Sequence, residues 1–468
     1  MRIYLSLLLS ILGITPCFST AVKLTQSKID NSAGYFVVDK EYNLDGKTIF
    51  LPSGYKLKFT KGSLDNGTIY ANNATIVAPK NKRIFKTKII IKGKWNVNKV
   101  YDTWFELPEN KNFVSNNLIN NIFALSNDDV SNEVFFSPNR VYYCEVPYKG
   151  RADLGEIISY SLINGKKRRN YFELYGDKFA NLRLFCIPSN TKLYFNSTVK
   201  LNATKQGVYF IFWEYGKENV FIKGNGTIAG DAKEHLYEET FVANYPYYGE
   251  LGNLINCYKC NNFYIEGITL KDAFGDCLVY QGSNLPWEKG NRKATNLTLK
   301  NVKIISARRN GVTLGASNVS IIDCSFMSCG IDDIRGTEPK SAIDFEPDDV
   351  NQYPEICCHN VVMKNCFFSE NFFDVNSYIV TTNKNDKYAV TIKNCHFSSP
   401  IHINTSSSLK FEKCYIPSIY TKNKTESMYV SLSNCCFQDC TFGRLKRNII
   451  TDTINQISFI NCNIQNKE

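Results

Sequence analysis

Short runs that alternate apolar and polar residues recur from about residue 263 to the end of the chain. Each has the form apolar-x-apolar-x-(Asn, Asp, Gly or Lys)-(small apolar)-x-apolar. They read Phe263 to Leu270, Leu297 to Ile304, Val319 to Phe326, Val361 to Phe368, Val390 to Phe397, Leu409 to Ile416, Val430 to Phe437 and Ile457 to Ile464. Alternation at period two predicts strands with one buried face, whereas apolar residues at helical spacing are nearly absent. Aligning the runs puts Ile268, Val302, Cys324, Cys366, Cys395, Cys414, Cys435 and Cys462 in one column, with successive members 19 to 42 residues apart. A base turn near the lower value, with loops inserted in some turns, is a solenoid rather than a sandwich.

Turns of that length, holding several short strands rich in β-branched and aromatic residues, predict an all-β, right-handed parallel β-helix. Equivalent positions on successive turns then stack about 4.8 Å apart, so residues remote in sequence become neighbours on one wall. The expected organisation is a signal peptide over 1–21, a small β-rich module over 22–100, an irregular capping or linking region over 101–180, and the β-helix over 181–468. The module is marked by the turns Asn43-Leu44-Asp45-Gly46, Pro52-Ser53-Gly54 and Asp65-Asn66-Gly67.

The leader reading rests on Met1-Arg2, the apolar run Ile3 to Ile14 and the small residues Ser19-Thr20-Ala21. That run is too short to span a bilayer, and no other stretch could. The expectation is a secreted, periplasmic or cell-surface protein; Cys17, after Pro16, matches a lipid-attachment box only poorly. Sixteen of the 17 cysteines lie beyond the leader. Those in the repeating column are expected as buried thiols, with Cys357, Cys358, Cys436 and Cys440 as candidate bridge formers. Cys257-x-x-Cys260 has no second CxxC or His pair to complete a metal site, so two wall residues are expected and no metal. The net charge of +11 suits either a lysine-rich solvated surface or an anionic partner. Export favours an acidic polysaccharide over nucleic acid. Lys166-Lys167-Arg168-Arg169 reads as a solvated loop.

Candidate chemistry gathers at a few places. Asp344 and Glu346 are two apart on a strand, so their side chains leave one face with a separation of roughly 6.5 to 7 Å, near the lower limit for an inverting glycosidase pair. Repulsion between them would keep one protonated and one ionised, as an acid and a base require; with Asp348 and Asp349 they could equally form a structural or Ca²⁺-binding cluster. Strand-end alignment puts Asp276, Asn310 and Ser341 in one column and Val279, Thr313 and Asp344 in another. Asp276 then falls two coils, about 10 Å, from Asp344. Arg308 and Arg309 lie on the coil between, either as a clamp for a substrate carboxylate or as an ion-pair ladder bracing the turns. The excursion from Ala232 to Gly252 carries His235, Tyr237, Tyr245, Tyr247, Tyr248 and Glu250, a mixture that suits either a sugar platform or a self-packed loop.

Several of these pieces resemble the pectin-lyase-like superfamily, and in particular polygalacturonase-related glycoside hydrolases and β-helix repeat proteins. They are Gly224-Asn-Gly-Thr-Ile-Ala-Gly230, Gly230-Asp231-x-x-x-His235, Gly249-Glu250-x-Gly252, Gly275-Asp276, Arg308-Arg309-x-Gly311 and Ala342-Ile343-Asp344-Phe345-Glu346-Pro347. The resemblance covers about a quarter of the chain and implies the fold and a shared groove more than a reaction. Where polygalacturonases carry N-T-D-G, this chain has Arg308-Arg309-Asn310-Gly311, so a family catalytic Asp is replaced by Asn310.

The expected function is therefore an exported glycoside hydrolase acting on a polysaccharide. Asp344 or Glu346 would be general acid or base and Asp276 the second carboxylate. Arg308 and Arg309 would clamp substrate, and Asp231, His235, Tyr245 and Glu250 would form the binding wall. No cofactor is expected, with Ca²⁺ entering only under the first rival, a polysaccharide lyase or epimerase acting on uronates. The second rival is a non-catalytic glycan-binding or adhesive solenoid.

Overall fold

The structure, a computed structural model, describes residues 21–108, 110, 112–148, 159–163, 166–170, 182–237, 251–283, 290–332, 338–347, 357–377, 388–403, 408–420, 435–445 and 458–467. Residues 1–20 of the expected leader, and Tyr245, Tyr247, Tyr248, Glu250, Asp348 and Asp349, lie outside them. Among the described residues no helix is long and apolar enough to cross a membrane.

The chain divides into two compact units, one of residues 1–97 and 103–107, the other of 98–102 and 108–468. In the first, short strands pair in parallel, as in Thr48–Leu51 with Gly67–Val77 and that strand in turn with Ile89–Trp95. Trp95, Tyr55, Phe85 and Phe105 fill its interior.

The second unit is a right-handed parallel β-helix. Each turn visits three sheets: Asn261–Glu266, Thr269–Lys271 and Leu278–Gln281 in one turn stack on Thr295–Lys300, Lys303–Ile305 and Val312–Gly315 in the next. Among the described residues the sheets hold 12, 7 and 9 strands respectively; the last is called the floor sheet below. Strands Lys99–Tyr101, Asn132–Phe136 and Val141–Cys144 already belong to these sheets, within a stretch whose sequence shows no clean period. Helix Asn116–Ala124 lays Phe123 against Phe136 and Phe212, interior rings of the first turns. Lys166–Asn170, expected as a loop, is instead a strand antiparallel to Ser159–Ile163.

The repeat has a physical origin in its corners. The polar residue that closes each long-sheet strand sits in the left-handed region: Gly267, Asn301, Asp323, Asn365, Asn394, Lys413, Asp439 and Asn461 all have φ between 52° and 81°. Gly, Asn and Asp pay least for that backbone, which explains their recurrence there. A second corner stacks Asn190, Asn219 and Asn262: the amide nitrogens of Asn219 and Asn262 donate to the side-chain oxygen one turn back at 2.8 and 2.7 Å. Inside, Phe326, Phe368 and Phe397 stack with centroids 4.8 Å apart at each step.

The cysteine column forms with one change. Phe367 N–H donates to the Cys324 carbonyl, and the same bond on later turns runs to Cys366, Cys395, Cys414 and Cys440, not Cys435. Strand Cys436–Gln438 pairs with Lys410–Glu412, which places Cys435 beside Leu409 at a strand start. The run of apolar residues from Val430 had suggested a register one corner out. Cys358 and Cys436 are buried thiols, and no disulfide is present among the described residues.

Candidate functional site

The floor sheet carries the candidate residues, and its register settles which of them meet. Leu278 pairs with Val312 and Val312 with Ile343, so Asp276, Asn310 and Ser341 fall in one column, as alignment of the strand ends predicts. Val279, Thr313 and Asp344 form the second, which continues backward to Asn256 and Trp213 and forward to Asn376 and His402. Ile343 and Phe345 pair with the interior residues Val312 and Leu314. Parity therefore turns Asp344 and Glu346 outward.

Arg309 joins the carboxylates. Its Nη1 donates to Asp276 Oδ2 at 2.8 Å, its Nη2 to Glu346 Oε2 at 3.2 Å, and its Nε to the Glu338 carbonyl at 3.2 Å. Asp276 also accepts from Thr313 Oγ1 at 2.7 Å and from Asn310 N–H at 3.0 Å. Asn310, which stands where polygalacturonases carry an Asp, donates its amide to Thr313 Oγ1 at 3.0 Å and to Asp344 Oδ2 at 3.2 Å. Its amide oxygen accepts from Ser341 N–H and Oγ. Asn376 closes the set by donating to Asp344 Oδ1 at 2.7 Å. Glu346 is anchored through its carbonyl, which accepts from Gln281 Nε2 at 2.7 Å. Gly315 stands beside it in the register, where any Cβ would come within 2.8 Å of Pro347 Cα; glycine lets the chain after the strand fold down onto the sheet.

Burial divides the roles. Asp276 and Asp344 have no exposed surface, and the Arg309 side chain keeps 7 %, whereas the Glu346 side chain keeps 36 %. Burial raises the Asp276 pKa, although the Arg309 guanidinium and the two hydrogen-bond donors pull against it. Burial also raises Asp344 well above the usual carboxylate range, and the neighbouring charge of Glu346 adds to it. Desolvation thus outweighs the cation at both aspartates. Asp344 and Glu346, two apart along the chain, leave the same face, and the charge of Glu346 acts on the Asp344 carboxyl.

The remaining candidates lie elsewhere. Arg308 does not join the acids: its Nε donates to the Phe274 carbonyl at 2.7 Å and its guanidinium lies 4.2 Å from the Phe274 ring centroid. The same ring stacks on His235 at 3.6 Å. Asp231 accepts from Tyr209 Oη at 2.6 Å and contacts His235 Nδ1 at 2.8 Å, with both side chains fully buried. Asp231 and His235 therefore brace the wall and present nothing to solvent. Cys257 and Cys260 are buried in the wall, and no group of three or more metal-ligating side chains occurs among the described residues. Asn376, Asn253 and Gln281 were not singled out in the sequence; extending the two columns through the register finds Asn376 and Asn253, and the register of Glu346 through Gly315 finds Gln281.

No protein-family model matches the chain, and no curated protein matches it. Among solved structures, it is similar to the tailspike protein gp49 of Acinetobacter baumannii bacteriophage Fri1, a capsular polysaccharide depolymerase, at 11 % identity and TM-score 0.38. That match covers 96 % of this chain but only 64 % of the tailspike. A polygalacturonase from Erwinia carotovora ssp. carotovora matches at 10 % identity and TM-score 0.44, covering 77 % of this chain and 93 % of the enzyme. The surface protein and adhesin PfbA of Streptococcus pneumoniae matches at 12 % and 0.33, covering 94 % and 92 %. At these values the likenesses carry no assignment of activity, and the fold follows from the strand register itself.

Proposed function

We propose that the protein is an exported glycoside hydrolase that cleaves a polysaccharide at the outer face of the floor sheet. The reading rests on one observation: a single guanidinium, that of Arg309, holds Asp276 and Glu346 on the face that Asp344, two residues before Glu346, also shares. A pair of neighbouring carboxyls, one of which is pushed by burial towards its protonated form, can protonate a leaving oxygen and take a proton back from water. Glu346, the solvent-facing member, acts on the glycosidic oxygen, and Asp344 behind it holds the reserve proton. Asp276 is a positioning residue that fixes Arg309, whose charge stabilises the carboxylate left after proton transfer.

The test is turnover of the purified chain on a panel of acidic and neutral polysaccharides, with product anomers followed by NMR. Glu346→Gln should lower kcat by at least about a hundredfold while glycan affinity is retained. Unchanged turnover in that variant would refute the assignment. An unsaturated uronide product would point instead to a lyase. The sealing of Asp276 and Asp344 from solvent favours a second reading, a glycan-binding solenoid in which the acids only brace the floor. Under that reading Glu346→Gln changes affinity and no substrate is turned over.

A further inference from the structure

The same outer face carries a second feature nearer the start of the β-helix. A cavity of about 470 Å³ is lined by Trp213, Tyr215, Arg183, Lys217, Asn120 and Cys186, a size that suits a small ligand or one unit of a larger one. Trp213 stands in the Asp344 column: it registers with Asn256, Asn256 with Val279, Val279 with Thr313 and Thr313 with Asp344. Four steps at about 4.8 Å put the two places some 19 Å apart on one line. Tyr215 registers with Tyr258, whose ring lies 5.8 Å from Trp213.

Two observations define what would bind. Arg183 lies 5.9 Å from the Trp213 ring, and Lys217, bound to Asp128 at 2.8 Å, adds a second cation to the lining. Glu214, between Trp213 and Tyr215, points inward, and burial pushes its pKa up to about 8, so the wall behind the cavity carries little negative charge at neutral pH.

We propose that this cavity is a binding subsite for a carboxylated sugar residue, packed against Tyr215 and the edge of Trp213 with its carboxylate towards Arg183. Its connection to the acid centre rests on the hydrolase reading above, with one uronate chain running along the floor and engaging both places. Arginine supplies the planar two-donor fork that fits a carboxylate, and the aromatic rings meet the apolar face of a pyranose.

Calorimetry on the full chain with hexagalacturonate, and separately with its methyl ester, tests this. Arg183→Gln should weaken binding of the acid about tenfold and leave the ester unaffected, and Tyr215→Ala should weaken both, with the melting temperature unchanged in each variant. Wild-type affinity for the acid in Arg183→Gln, equal affinity of the native protein for acid and ester, or no binding of the hexamer at all would each overturn the proposal. The two readings fail separately. If the native chain hydrolyses nothing but Arg183→Gln still loses acid binding, the subsite stands and the hydrolase falls. If Glu346→Gln abolishes turnover while Arg183→Gln leaves binding and KM untouched, the subsite alone is lost.

Discussion

Replacing Arg309 by Met keeps the length of the side chain and removes its charge from between Asp276 and Glu346. The perturbation is large because the guanidinium makes three hydrogen bonds to described residues and Asp276, its partner at 2.8 Å, is buried. Removing one partner of such a buried pair typically costs about 3 to 5 kcal/mol, since the other charge is left uncompensated in a poor solvent. Asp276 can reduce that cost by taking up a proton. Without the cation, burial acts on it unopposed except by Thr313 and the Asn310 N–H, and its pKa climbs further. The penalty for Arg309→Met should therefore be smaller at pH 5 than at pH 8, by up to about 1.4 kcal/mol for each unit of added pKa shift within that window.

Asp276→Asn leaves Arg309 with Glu346 and the Glu338 carbonyl, and should cost about 1 to 3 kcal/mol. The double variant should be less destabilised than the sum of the singles by about 2 kcal/mol. Urea unfolding followed together by far-ultraviolet circular dichroism and tryptophan fluorescence provides the measurement, and coincidence of the two transitions licenses a two-state free energy. Single-variant effects that add to within about 0.5 kcal/mol, or a penalty that does not change with pH, would refute the buried bridge.

Glu214 offers an independent pH test. Its carboxyl lies inside the β-helix, where it accepts from Ile187 N–H at 2.9 Å, and burial lifts it from 4.5 to about 8. The folded state thus holds a proton that the unfolded chain has released. The resulting stability is fully present below about pH 4.5, is lost as pH rises towards 8, and amounts to on the order of 5 kcal/mol across the window. Glu214→Gln should flatten the dependence of melting temperature on pH between 5 and 8; an unaltered slope would contradict an interior carboxyl. At the corners, Gly267 has φ +81° and a Cβ there would come 2.3 Å from the Gly224 carbonyl oxygen, whereas Gly216, at φ +61°, faces open space. Gly267→Ala should cost about 3 kcal/mol or more and Gly216→Ala about 1 kcal/mol; equal effects in thermal unfolding would remove the close-packed corner from the account.

The polar residue before the cysteine column is legible as a corner because few residues tolerate positive φ, and it appears on almost every turn. The alignment of Asp276 with Asn310 and of Thr313 with Asp344 is legible for the same reason, since a strand's period of two fixes inward and outward positions once the corners are placed. At Cys440 the reading slips, because Cys435 also closes an apolar-polar alternation in the sequence and only the pairing of Cys436–Gln438 with Lys410–Glu412 chooses between the two. Arg308 shows a different limit. It adjoins Arg309 at the start of a strand, where alternation has not begun, and only the packed ring of Phe274 determines that it turns away from the acids.

By itself the sequence determined the coil, its corners and the two columns that hold Asp276 and Asp344. Those depend on local backbone preference and on alternation, which each turn carries within itself. Tertiary structure alone decided that Asp276 and Asp344 are sealed while Glu346 is not, that Glu214 is interior, and that Trp213 and Arg183 share a cavity. Burial of an outward side chain depends on what other segments lay across it, and no single turn encodes that.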